Sequence, residues 1–247
     1  MNTTVEDYPK LDVIAVGAHP DDVEIACGGT LAKLVEQGYK VGIVDLTNGE
    51  PTPRCQDPAI RIAEAQAAAK LLGITVRRIL DLPNRRLFDT FEGRCLLAQE
   101  FRKYRPRIVI GFGNKTPMAS PDHYQAMLLT DAAVFYSRLT KWDEHFAGLP
   151  VHTIAAQLYF QLAFEPTSIA GIDSRVTVDI SAYLERKLAS IACYETQFPP
   201  EKMRVFERVR STAIANGTAA GFSAGEVFAL TRPLGCNDLV QTVLHSQ

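Results

Sequence analysis

Apolar and polar positions along the chain follow two rhythms. Short β-branched runs such as Val13-Ile14-Ala15-Val16 alternate with longer stretches whose apolar residues recur at helical spacing. The runs predict strands at 13–17, 40–46, 76–80 and 107–111, and the longer stretches predict helices at 30–37, 58–72 and 92–104. Gly73 directly follows one of these helices, as suits a C-cap that needs a positive φ. Further on, a helix opens at Ser120-Pro121-Asp122-His123, strands are expected at 154–162 and 176–180, and a helix at 182–196. Such alternation builds a mostly parallel sheet with helices on both faces, so the expected fold is α/β, Rossmann-like and doubly wound. No repeat or low-complexity linker divides the chain. A single domain over 1–247 is expected, with a Rossmann-like core in 1–150 and a part, 151–247, that completes sheet and site.

Composition narrows the function classes. With 47% hydrophobic residues, the 247-residue chain has ample apolar surface for a core. Its formal charge of −2 is spread out, without a basic tract or stripe, which argues against nucleic acid as a partner. The first residues, Met1 to Tyr8, lack the basic and apolar regions of a signal peptide, and no apolar stretch is long enough to span a bilayer. A cytoplasmic protein without a membrane partner is expected. Cys27, Cys55, Cys95, Cys193 and Cys236 are odd in number and scattered, so they read as thiols rather than as a disulfide framework or a cysteine zinc site.

The chemistry concentrates after the first strand, where Ala18-His19-Pro20-Asp21-Asp22-Val23-Glu24 crowds one histidine and three carboxylates into one loop. Taken alone, the two aspartates would serve as a turn and N-cap pair beside a surface histidine. The setting favours a metal site instead, because Gly28-Gly29-Thr30 opens a helical stretch and His123 recurs in a similar loop after the fourth strand. In a common doubly wound order the first and fourth strands are neighbours, and ligands bind in the gap at their carboxyl ends. His19, Asp22 and His123 can meet there. Two imidazoles and one carboxylate with open positions suit catalytic Zn²⁺, and equally Fe²⁺ or another divalent metal. Asp21, beside the ligands but not one of them, is placed to take the proton of a water attacking a carbonyl carbon. Glu24 either orients His19 or is a first-turn acid favoured by the helix dipole.

With Gly28-Gly29-Thr30 and Pro121-Asp122-His123, this loop is similar to the PIG-L/LmbE family of zinc-dependent N-acetylglucosamine deacetylases, most of all to those of bacillithiol biosynthesis. The similarity continues through Gly42-Ile43-Val44-Asp45-Leu46-Thr47, Asp81-Leu82-Pro83-Asn84-Arg85, Val178-Asp179-Ile180-Ser181, Tyr194-Glu195-Thr196-Gln197-Phe198 and Ala220-Gly221-Phe222. The resemblance implies His19, Asp22 and His123 as zinc ligands and Asp21 as general base. It implies further that Arg61 pairs with a malate carboxylate of the substrate, that Tyr194 donates to the developing oxyanion, and that Asn48, Glu50 and Arg85 bind substrate. The substrate class is then a small N-acetylated amino sugar, with N-acetylglucosaminyl-malate favoured, and the assembly a homo-oligomer, a hexamer being one option.

One position departs from the family. Its second motif usually reads His-Pro-Asp-His, the first histidine protonating the leaving amine or steadying the oxyanion, and this chain has Ser120 there. A hydroxyl is a poor general acid, and losing such a group costs about 10²–10⁴-fold in rate unless another supplies the proton. Asp21 carrying its captured proton to the amine requires no new residue, and leaves Asp122 to act on His123 or on the loop. His145 and His152, in the loop before the strand at 154–162, read as surface histidines, and His245 as part of a disordered end. Two alternatives stay open: an amidase acting on a thiol conjugate or another small glycoside, and a metal-binding protein without hydrolytic activity.

Overall fold

The computed structural model describes residues 7–55, 57–162 and 174–244. Among the described residues, seven strands form one sheet: β1 (Val13–Gly17), β2 (Val41–Asp45), β3 (Val76–Ile79), β4 (Ile108–Phe112), β5 (Ala156–Phe160), β6 (Arg175–Asp179) and β7 (Gly225–Leu230). Their order is β3-β2-β1-β4-β5-β7-β6, parallel from β3 to β5, with β7 antiparallel to both β5 and β6. Every residue of β1 and β2 is buried, as expected of parallel strands covered on both faces. Asp45 is a charged exception in that buried row.

The helices are α1 (Asp22–Glu36), α2 (Pro58–Leu72), α3 (Phe91–Tyr104), α4 (Asp122–Tyr136), α5 (Leu184–Ala192), α6 (Arg204–Thr218) and α7 (Leu239–Leu244). Helix α2 has the bounds its sequence predicts. The Asp57 carboxylate accepts the Ala59 N–H at its start, and Gly73 closes it at φ 78, a conformation that penalises residues with a Cβ. Helix α1 departs from expectation by starting at Asp22 rather than near residue 30. It breaks at Cys27 (φ −141), and beyond the break Glu226 of β7 accepts the N–H groups of Gly29 (3.0 Å) and Thr30 (2.6 Å). Lys187 of α5 pairs with Glu226 and donates to the Ala26 carbonyl at 3.3 Å. A side chain from the opposite end of the chain thus caps the second segment, which is why the helical pattern in the sequence becomes visible only near Thr30. Helix α6, strand β7 and helix α7 lie outside the predicted set.

β1 and β4 are neighbours, paired from Val13 with Ile108 to Ala15 with Ile110. From β1 the chain winds to one side through β2 and β3, then returns to the other side with β4. That reversal creates a crevice at the carboxyl ends of β1 and β4. The loop carrying His19 leaves β1 there, and the loop leading to His123 leaves β4. Among the described residues, no helix is long and apolar enough to cross a membrane.

Candidate active site

His19, Asp22 and His123 each offer a ligand atom, all within 4.8 Å of one another, and among the described residues they form the one such group of histidine, cysteine and acidic side chains. Asp22 is fixed from two sides. Its Oδ2 accepts the N–H groups of Ala18 (3.0 Å) and His19 (2.8 Å), closing the loop after β1, while its Oδ1 faces His123 Nε2 at 3.3 Å. The His123 ring stacks on Phe112 at the end of β4, with centroids 4.7 Å apart, and its Nδ1 meets the Thr116 hydroxyl at 2.8 Å. The His19 ring lies between two carboxylates, Nδ1 3.4 Å from Asp22 and Nε2 3.3 Å from Asp122.

The electrostatics of this cluster suit a cation. Burial disfavours a charged His19, yet Asp22 and Asp122 outweigh it and raise its pKa to about 10. Burial likewise disfavours the Asp22 carboxylate, but His123 and His19 hold it ionised far below the usual carboxylate range. Two imidazoles and an ionised carboxylate, each ring held by a hydrogen bond outside the triad, match the donor set and outer support of a divalent-metal centre.

Asp21 adopts φ 118, outside the regions comfortable for a residue with a Cβ. Its Oδ2 pairs with Arg61 Nη2 at 3.0 Å, and the same nitrogen donates to the Pro20 carbonyl. Burial raises the Asp21 pKa to about 7 against the opposing pull of Arg61, near the value that suits a general base at neutral pH. Beneath this pair, Glu24 is wholly buried, accepting the Tyr194 hydroxyl at 2.8 Å and pairing with Arg77. Arg77 also grips Asp45 through Nε (2.7 Å) and Nη2 (3.0 Å).

A cavity of about 450 Å³ opens over the triad. Arg85 and Ser120, expected at the site, line it, as do Arg61 and Asp21; Asn84, Gln197 and Lys202 line it as well and were not foreseen as site residues. The sequence signal for Gln197 lies in the segment from Tyr194 to Phe198.

The other expected site residues have partners within the protein. Asn48 Oδ1 accepts the Glu50 N–H at 2.9 Å and the Glu50 carboxylate binds Thr52, so both shape their loop, and Gly49 and Thr52 face the cavity in their place. Asp122 acts on His19, not on His123, because the loop after β1 closes over its carboxylate. Glu24 serves Arg77 and Tyr194 rather than His19. Arg61 lines the cavity, and its Nη2 is shared between Asp21 and the Pro20 carbonyl. Tyr194 is fully buried, and its hydroxyl donates to Glu24. The Ser120 hydroxyl accepts the Asp122 N–H at 3.3 Å, at the start of α4. His152 bonds the Pro106 carbonyl at 2.6 Å and His145 packs against Phe91 and Trp142, both outside the cavity lining. His245 and the segment 1–6 lie outside the described residues.

Comparison with known proteins agrees with this geometry. Residues 14–134, which include all three triad residues, match the family model described as PIG-L: GlcNAc-PI de-N-acetylase. A diacetylchitobiose deacetylase of Thermococcus kodakarensis is 30% identical over 92% of this chain and 84% of its own length. A 1D-myo-inositol 2-acetamido-2-deoxy-α-D-glucopyranoside deacetylase of Acidothermus cellulolyticus is 28% identical over 75% of this chain and 79% of its own. The solved structure of N,N'-diacetylchitobiose deacetylase from Pyrococcus horikoshii superimposes with a TM-score of 0.77 at 26% identity, covering 92% of this chain and 85% of that one. With a sheet that reverses direction at β1 and β4, a histidine–aspartate–histidine triad in the crevice and sequence similarity along most of its length, this chain belongs to the PIG-L family.

Proposed function

We propose that the protein is a metal-dependent amidohydrolase that removes acetate from an N-acetylglucosaminyl conjugate. The observation that carries this reading is Asp21: a half-buried carboxylate next to the triad, held by Arg61 and open to the cavity, has no purpose in a site that only binds a cation. His19, Asp22 and His123 would hold the ion. When bound, a divalent cation supplies Lewis acidity toward the amide oxygen and acidifies a water, and Zn²⁺ is the reading favoured by the donor set, with Fe²⁺ next.

Asp21 takes a proton from the attacking water as its oxygen bonds to the amide carbon. The carbon–nitrogen bond then breaks, and the proton held on Asp21 passes to the departing amine, leaving acetate and a free amino sugar. This route asks nothing of Ser120, whose hydroxyl supports the α4 backbone. Arg85 and Lys202 add positive charge to the cavity lining, which suits an acidic aglycone and supports N-acetylglucosaminyl-malate as substrate. The family resemblance extends this reading to a cytoplasmic, homo-oligomeric enzyme of bacillithiol biosynthesis.

The test is release of free amine from N-acetylglucosaminyl-malate, diacetylchitobiose and N-acetylglucosamine by Zn²⁺-loaded protein, with the Asp21→Asn variant as blank. Turnover of the malate conjugate well above the other two supports the full reading. Turnover of diacetylchitobiose alone keeps the deacetylase and removes the acidic aglycone. Silence on all three, with zinc bound, removes the deacetylase reading.

A further inference from the structure

Arg61 is 2% exposed, yet its side chain is incompletely satisfied. Nη2 serves Asp21 and Pro20, while Nε and Nη1 have no hydrogen-bond partner. The loop above lies against it: a Cβ at Gly49, itself at φ 77, would sit at van der Waals distance, 3.5 Å, from Arg61 Nε. What remains to support the guanidinium is an aromatic face. Its central carbon lies 5.2 Å from the ring centroid of Tyr194, a residue with no exposed surface that packs against Ala65 and Ala68 of α2. Arg77 approaches the same ring at 6.0 Å. The hydroxyl bonds Glu24, which also pairs with Arg77.

We propose that Tyr194 is a positioning residue for Asp21: its ring, not its hydroxyl, is the platform that holds Arg61, and Arg61 in turn fixes the Asp21 carboxylate toward the cavity. The inference rests on the reading of Asp21 as general base. A guanidinium with two idle donors has little besides the ring face to hold its plane, and a cation over a desolvated ring is held electrostatically by the ring quadrupole. Asp21 needs that support, because its φ of 118 is a conformation the surroundings must impose. Without the ring, Arg61 is free to turn toward other acceptors and the base loses its register with the cavity.

The ring and the hydroxyl are separated by Tyr194→Phe and Tyr194→Leu, assayed as Zn²⁺-loaded full-length protein. Tyr194→Phe is expected to keep kcat within about threefold of wild type, and Tyr194→Leu to lower it by about 10–100-fold with KM within about twofold and zinc content unchanged, the cost of a misplaced catalytic group. Arg61→Lys, which keeps the charge but not the fork, is expected to lower kcat without raising KM. A Tyr194→Phe loss as large as that of Tyr194→Leu would make the hydroxyl the active part and overturn the proposal, and a KM rise in Arg61→Lys would return Arg61 to substrate binding. Crystal structures of the two Tyr194 variants decide the point apart from turnover. The Asp21–Arg61 contact should persist in Tyr194→Phe and be lost in Tyr194→Leu; an unmoved pair in Tyr194→Leu refutes the platform. Wild-type protein that frees no amine would defeat the functional reading, while those structures would still test the positioning.

Discussion

Nε2 of His19 lies 3.3 Å from Oδ2 of Asp122, a hydrogen bond that ties the loop after β1 to the first turn of α4. The same Oδ2 accepts the Arg85 N–H at 2.6 Å, so one carboxylate anchors a metal-ligand candidate and a wall of the cavity. The aspartate of the second motif works across the crevice rather than on its neighbour His123. Burial alone would raise the pKa of Asp122, but the bond to His19 and the backbone donors lower it, which keeps it an acceptor.

Replacing Asp122 by Ala should therefore lower zinc affinity by about 10–100-fold, the usual cost of an outer-sphere partner that orients a ligand histidine. Competition against a chelating dye measures it. Affinity equal to wild type would show that His19 is oriented without Asp122.

Asp21→Asn should retain zinc and lose nearly all turnover, while His123→Ala should lose both. Metal content by elemental analysis, set beside amine release, separates the two roles. Loss of zinc in Asp21→Asn would make Asp21 a ligand.

Ser120→Ala should leave kcat within about threefold of wild type, because the hydroxyl accepts a backbone N–H and the proton route does not pass through it. Ser120→His should raise kcat if proton delivery to the amine limits the rate. A large loss in Ser120→Ala would show that the hydroxyl acts on substrate.

Arg77→Leu should destabilise the fold by about 3–5 kcal/mol, since it strands two buried carboxylates, Glu24 and Asp45, whose side chains are fully shielded from solvent. Urea unfolding followed by circular dichroism reads this directly. A loss below about 1 kcal/mol would mean that water or protonation compensates the pair.

His19 in the metal-free protein keeps its proton to about pH 10, against 6.5 for an ordinary histidine. A raised folded-state pKa contributes stability that is fully present below about pH 6.5 and is lost as pH rises through about 10. A metal must displace that proton, so zinc affinity should rise about tenfold per pH unit between these limits from His19 alone. Calorimetry in buffers of different ionisation enthalpy counts the protons released, and a count of zero at pH 7.5 would contradict the arrangement.

Much of the architecture was legible in the chain because it rests on local periodicity and on short-range signals. The continuous apolar runs of β1 and β2, the Asp57 and Gly73 caps of α2, and the histidine loop directly after a buried strand each carry their meaning within a few residues. Topology then follows from the preference for right-handed crossovers, which brings β1 beside β4 and with them His19, Asp22 and His123. Only the tertiary structure decided the rest. Glu226 caps α1 from 197 positions away, Tyr194 reaches Glu24 across 170, and Asp122 reaches His19 across 103. No period or propensity encodes such partners, because a buried polar group takes whichever donor or acceptor the packed fold presents, and here that placed Arg61 against Asp21 and the Tyr194 hydroxyl against Glu24.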